Sequence, residues 1–245
     1  MPSETWVLLD FDNTLCDMSR HRGQYLRELA AALSGEFGGE ADEWTVAIEP
    51  ELEASLANYA RRFTGDPLAG FNVWIDEERV RATEAVFAAM HTPLPDEPVV
   101  DLAKRLQFDA LTGCNAMVEG VDSALRELFD MGVRTQMASA QESEYLLAAL
   151  IGAGIESFTE SKFGPDLVDC AKEGPEFYRR IYGQLGIRPS QAIVVDDQAM
   201  CLDWAEETGA RVVQAVLLPD RPEPEFPIVL RSFADLPRLI RMGLT

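Results

Sequence analysis

Near the start of the chain, Trp6-Val7-Leu8-Leu9 runs directly into Asp10-Phe11-Asp12-Asn13-Thr14-Leu15. Four apolar residues in succession suit a strand buried on both faces. Side chains alternate along a strand, so Asp10 and Asp12 point to one small volume where the strand ends. Open α/β sheets bind ligands outside the carboxyl ends of their strands. Two carboxylates this close repel unless a cation or a shared proton relieves them. Hard oxygen ligands select ions such as Mg²⁺. Standing alone, Asp-x-Asp also suits a plain turn, with Asp and Asn bonding the backbone.

Three more segments read as strands: Val133 to Ala138, followed by Ser139; Ala192 to Val195, followed by Asp196-Asp197; and Arg211 to Val216. Helical patterns fall between them, at Val121 to Met131, Pro175 to Leu185 and Leu202 to Thr208. Gly132 and Gly209 stand where helix stops belong. Alternating strands and helices predict a parallel sheet with right-handed crossovers.

From about Met18 to Leu111 the pattern is almost wholly helical. Leu26, Leu29, Ala30 and Leu33 mark one apolar face, and Leu52, Leu56, Tyr59 and Phe63 a second. Val80 to Met90 and Val99 to Leu106 predict two more helices. Ser34 to Gly39 and Pro93 to Pro98 read as connectors. The stretch holding Pro219, Pro222, Pro224 and Pro227 predicts an ordered surface loop before a last short strand and helix. A helical block inserted behind a strand bearing two acids sits where a lid would sit.

The formal net charge of -21 disfavours nucleic acid and anionic membranes as partners, since both require positive fields. The four cysteines, Cys16, Cys114, Cys170 and Cys201, form no C-x-x-C pair. No secretory leader and no apolar run of membrane-spanning length is legible. These features predict a cytoplasmic protein with free thiols, a monomer or homodimer. The two histidines, His21 and His91, leave little room for histidine-based catalysis.

Taken in order, these segments resemble the haloacid dehalogenase-like hydrolase superfamily. Asp10-Phe11-Asp12-Asn13-Thr14 is similar to the family's D-x-D-x-T motif. Ser139 stands at the second motif's Ser or Thr, Lys172 at the lysine ahead of a helix, and Asp196-Asp197 at the acidic pair. Lys162, ten residues earlier, competes with Lys172. The resemblance implies a doubly wound, parallel-sheet, Rossmann-like α/β core of residues 1–17 and 112–245, with an all-helical type 1 cap of residues 18–111.

It also implies roles. Asp10 would be the nucleophile, forming an aspartyl-phosphate. Asp12 would be the general acid and then the base. Mg²⁺ would be held by the Asp10 carboxylate, the Asp12 backbone carbonyl and Asp197, with Asp196 beside them. Ser139 and Lys172 would bind the phosphoryl group. The substrate would be a small phosphorylated metabolite. A second acid at Asp12 points away from the family's dehalogenases and phosphonatases, which carry a different residue there. A phosphomutase like β-phosphoglucomutase and a catalytically weak phosphometabolite-binding protein are the alternative readings. Cys201 stands where the family often has an acid or Asn supporting the metal. Arg20 and Arg22 could reach an anionic substrate group or remain surface charges.

Overall fold

The structure, a computed structural model, describes residues 5–219 and 223–243. The six strands are β1 (Trp6–Leu9), β2 (Arg134–Ala138), β3 (Lys162–Phe163), β4 (Ala192–Asp196), β5 (Arg211–Ala215) and β6 (Val229–Leu230). All pair in parallel, in the order β3-β2-β1-β4-β5-β6. The helices before β2 are α1 (Met18–Phe37), α2 (Ala41–Phe63), α3 (Phe71–Ala89), α4 (Val99–Thr112) and α5 (Val121–Asp130). Those after it are α6 (Ser143–Ala153), α7 (Pro165–Val168), α8 (Pro175–Leu185), α9 (Ala199–Glu207) and α10 (Leu236–Arg241). The chain is an α/β fold with a helical cap, as its alternating pattern predicts. Among the described residues no helix is long and apolar enough to cross a membrane.

β1 runs through the middle because its residues bury on both faces. Val7 and Leu9 pack with Val121, Leu125 and Leu150 on one side, and Leu8 packs with Phe177, Ile181 and Leu202 on the other. Leu9 lies level with Met137 of β2 and Val195 of β4. The residues that follow therefore emerge side by side: Asp10, then Ala138-Ser139, then Asp196-Asp197. The strand order reverses at β1, which leaves a crevice at this edge of the sheet.

Helices α1 to α4 bury an apolar core of their own, centred on Leu26, Leu33, Trp44, Phe87, Leu102 and Leu106. α1 starts at Asp17, whose carboxylate accepts the Ser19 and Arg20 amides at 3.1 and 3.4 Å. Two sequence expectations are corrected here. The Ser34–Gly39 connector is mostly helix, because α1 continues to Phe37, which packs against Phe87 with ring centroids 5.0 Å apart. The chain leaves the helix at Gly38 and Gly39, both at positive φ. Leu56, expected on the apolar face of α2, is 63% exposed, because the buried stripe of that helix runs through Trp44, Ile48 and Phe63.

The two-residue β3 had no signal in the sequence, being too short to show alternation. β6 and α10 form as expected. In the proline-rich stretch Pro222 lies outside the described residues. Beyond it, Gln214 Oε1 accepts the backbone amides of Glu225 and Phe226 at 2.7 and 3.1 Å.

The end of the cap meets the sheet layer where α4 and its following turn cross α6. A Cβ on Gly152 would lie 2.6, 2.8 and 2.9 Å from the carbonyl oxygens of Cys114, Thr112 and Leu111. For Gly152→Ala this clash outweighs the ~1 kcal/mol by which alanine favours a helix. The variant is expected to melt at least ~2 °C below wild type in calorimetry. An unchanged melting temperature would show that α6 shifts without cost.

Candidate active site

The segment after β1 is a tight loop. The Phe11 carbonyl accepts the amides of Leu15 and Cys16, each at 3.0 Å, and the Asn13 amide reaches the Cys16 carbonyl at 2.7 Å. Asn13 sits at φ 58°, a left-handed conformation that asparagine tolerates better than most residues. Asp10 is buried, its amide bonded to the Val195 carbonyl at 3.0 Å. One Asp12 oxygen accepts from Gln141 Nε2 at 2.9 Å. The other, Oδ1, is buried and has no hydrogen-bond partner among the described residues.

Lys172 is the centre of the site. Its ammonium donates to Asp10 Oδ1 at 2.7 Å, to Asp196 Oδ2 at 2.7 Å and to the Ala138 carbonyl at 3.0 Å. Asp196 Oδ1 in turn accepts the Gln198 amide at 2.9 Å. Ser139 is fully buried, and its hydroxyl accepts the Gln141 amide at 3.3 Å. Carboxylate oxygens of Asp10, Asp196 and Asp197 all lie within 4.8 Å of one another. Two buried carboxylates on one ammonium leave an excess of negative charge, and the oxygens of the three aspartates suit a hard divalent cation.

The sequence profile of the haloacid dehalogenase-like hydrolases matches residues 5–200, which span every residue of this site. The chain belongs to that family. This haloacid dehalogenase-like hydrolase is 25% identical to Protein CbbY of Cereibacter sphaeroides, over 98% of this chain and 96% of that protein. Its fold is similar to that of the L-2-haloacid dehalogenase from Xanthobacter autotrophicus, with a TM-score of 0.61 at 19% identity over 99% of this chain and 100% of that one. It is also similar to a HAD family hydrolase from Deinococcus radiodurans R1 solved with bound phosphate and sodium. There the TM-score is 0.55 at 24% identity, over 100% of this chain and 98% of that one.

The hydrolase thus brings Asp10, Asp196, Asp197 and Lys172 together at the end of β1 and β4, with Asp12 and Ser139 joined through Gln141. Lys162 is not among them. It lies at the sheet edge, donating to the carbonyls of Thr159 at 2.9 Å and Glu156 at 3.2 Å. Arg22 pairs with Glu53 at 2.5 Å across α1 and α2, and Arg20 is exposed. Cys201 is buried in α9, near enough to Lys172, Asp196 and Asp10 for their charges to act on it.

Several neighbours of the site escaped the sequence reading. Gln141 binds an aspartate 129 positions away, and no local pattern marks such a pair. Gly164 lets its loop approach closely, since a Cβ there would sit 2.2 Å from the Gln141 carbonyl oxygen. His21 and Tyr145 share a 2.7 Å hydrogen bond and stand edge-on to Phe11.

Electrostatics follow from burial. Burial raises the Asp10 carboxyl well above its ordinary value; Lys172 opposes this, and Asp196 and Asp12 reinforce it. Asp12 is also raised, by burial first, with the Gln141 hydrogen bond and Lys172 pulling the other way. Burial would lower Lys172, but Asp10 and Asp196 outweigh it and hold the ammonium well above its usual range. Removing that ammonium leaves two buried carboxylates without their counter-charge. Lys172→Met is expected to cost about 3–5 kcal/mol in urea unfolding. Adding Asp196→Asn should recover part of the loss, and a cost that stays the same in the double variant would sink this account.

Burial lowers His21 from its ordinary 6.5. The folded chain therefore holds it neutral, and the unfolded chain takes up its proton first. Stability linked to neutral His21 is present above pH 6.5 and declines as pH falls through the unfolded value toward the folded one. In His21→Gln the fall in unfolding free energy from neutral to mildly acid pH should be shallower. An equal slope in both proteins would show that His21 is not the group responsible.

Proposed function

We propose that this hydrolase is a Mg²⁺-dependent phosphatase that cleaves a phosphate monoester of a small metabolite through an aspartyl-phosphate intermediate. The observation that carries the reading is Asp12, a second carboxyl group beside Asp10, held on one oxygen by Gln141 and unpartnered on the other. A halide leaves without a proton, whereas an ester oxygen leaves far more readily when an acid protonates it. The phosphate-bound relative supports the same direction.

In this reading the Asp10 carboxylate attacks phosphorus and Asp12 gives its proton to the leaving alcohol. Asp12, now ionised, takes a proton from the water that attacks the aspartyl-phosphate, and Asp10 and inorganic phosphate are released. The Ser139 hydroxyl and the Lys172 ammonium bind phosphoryl oxygens and offset their charge. Mg²⁺ would be held by Asp10, Asp197, the Asp12 backbone carbonyl and Asp196, and would neutralise nucleophile and phosphoryl group together. Cys16, Cys114, Cys170 and Cys201 are all buried and unbridged, which fits a reducing cytoplasm.

Phosphate release from a panel of phosphorylated metabolites, with Mg²⁺ and with excess chelator, tests the reading. Release should require the metal and vanish in Asp10→Asn, whose amide is a poor nucleophile. Asp12→Asn should lower kcat by about 10²–10⁴-fold with a smaller change in KM. Full activity in Asp10→Asn would overturn the nucleophile assignment. Phosphoryl transfer to a second sugar hydroxyl, without free phosphate, would instead favour the phosphomutase.

A further inference from the structure

The cap and the core meet at a buried ion pair. Arg79 of α3 and Glu142 approach to 2.5 Å, with side chains only 9% and 12% exposed. Among the described residues this is the one ion pair that joins the two parts. The Arg79 guanidinium also donates to Asp76 and to Gln107 of α4, each at 3.3 Å. Lys104 of α4 holds Asp76 in turn, at 3.0 Å. Two cap helices therefore brace Arg79 where it reaches the core.

Glu142 is an unusual residue for its own position. It is the N-cap of α6, where Ser, Thr, Asp and Asn serve best, and its side chain makes no capping bond. That side chain turns to the cap instead. The residue before it is Gln141, whose carboxamide makes the one hydrogen bond on the Asp12 carboxylate among the described residues. A Cβ on Gly164 would lie 2.2 Å from the Gln141 carbonyl oxygen and 2.8 Å from the Glu142 Cα. The segment is thus held by Arg79 at its side chain and by the Gly164 backbone at its main chain. Other contacts tie the cap down without this pair. Asn72 donates to the Asp166 carbonyl at 3.1 Å, and the Ala171 amide to the Pro67 carbonyl at 2.8 Å. Docking alone gains little from a buried charge pair, whose desolvation offsets most of its attraction.

We propose that Arg79 and Glu142 are positioning residues, whose ion pair holds Gln141 so that its carboxamide orients Asp12 for proton transfer to the leaving alcohol. The inference rests on the phosphatase reading, in which Asp12 is that acid, and adds to it a device that lets the cap act on the proton donor.

Glu142→Asp separates positioning from stability. The shorter side chain falls short of Arg79 and gains the capping bond that Glu142 lacks. Stability should hold or rise, so a merely structural role predicts no loss of activity. The measurement is Mg²⁺-dependent kcat/KM, which covers the steps through release of the alcohol. Benzyl phosphate needs a proton on its leaving alkoxide, and p-nitrophenyl phosphate does not. The variant should lose about tenfold or more on benzyl phosphate and less than about threefold on p-nitrophenyl phosphate. Arg79→Met should show the same selective loss, and the double variant should lose no more than either single one. Crystals of Glu142→Asp should show the Gln141 carboxamide withdrawn from Asp12.

An equal loss on both esters, or no loss on either, in folded Glu142→Asp would overturn the inference while leaving the phosphatase reading standing. Additive losses in the double variant would do the same. So would a Gln141 carboxamide still bonded to Asp12 in the crystals, a readout that holds whichever esters the cap admits. Hydrolysis of no ester, aromatic or metabolite, would overturn the phosphatase reading and this inference with it.

Discussion

One buried ammonium ties the ends of three strands together. Lys172 reaches Asp10 after β1, the Ala138 carbonyl at the end of β2 and Asp196 at the end of β4, all within 3.0 Å. Such an arrangement is a poor device for stability, because burying charges costs about as much as their attraction returns. Its value is geometric. Two carboxylates and a carbonyl cannot all keep their distance to one nitrogen unless the three strands stay in register. The buried run Val7, Leu8 and Leu9 supplies that register by filling both faces of the sheet. Packing and charge therefore specify the same arrangement from opposite ends of β1.

The same centre would let a chain of net charge -21 handle the anion proposed as its substrate. The general field of the protein repels phosphate, so attraction has to be local. Lys172 alone does not balance Asp10 and Asp196. Burial first, and then the charges of Asp196 and Asp12, raise the Asp10 carboxyl, and the gathered carboxylate oxygens give a divalent cation a reason to bind there. The cap carries its charges differently. Arg79 pairs with Glu142 and Arg81 is shared by Glu51 and Glu78, so its arginines are held by neighbouring glutamates rather than gathered at one centre.

Much of this was legible in the sequence, for identifiable reasons. Asp10 and Asp12 lie two apart on one strand exit, Ser139 and Asp196-Asp197 each close a strand, and the Gly-Pro start of α8 follows Lys172 closely. Local spacing is enough to find such groups. That helix start already favoured Lys172 over Lys162, and the structure adds that Lys162 lies in a two-residue edge strand away from the site. Periodicity also misplaced Leu56 and ended α1 too early. A long helix keeps its stripe only where neighbours demand it, and Phe37 extends α1 because Phe87 and Trp44 are there to receive it. The Gln141–Asp12 and Arg79–Glu142 contacts join distant segments, and nothing local distinguishes those residues from surface glutamines and arginines.

That difference follows the division of labour in the molecule. Groups proposed for the reaction leave the sheet at fixed offsets from strand ends, so chemistry and sequence motif coincide. The cap comes from four helices whose faces are defined only by mutual packing. A helix face tolerates exchange of one apolar residue for another at small cost, provided volume is kept. The interior of the cap can therefore change shape through substitutions at Leu29, Leu52, Ala82 or Ala103 without touching the strand ends. A fold organised in this way can keep one reaction while altering its substrate, and the cap is where a reading of specificity has to begin.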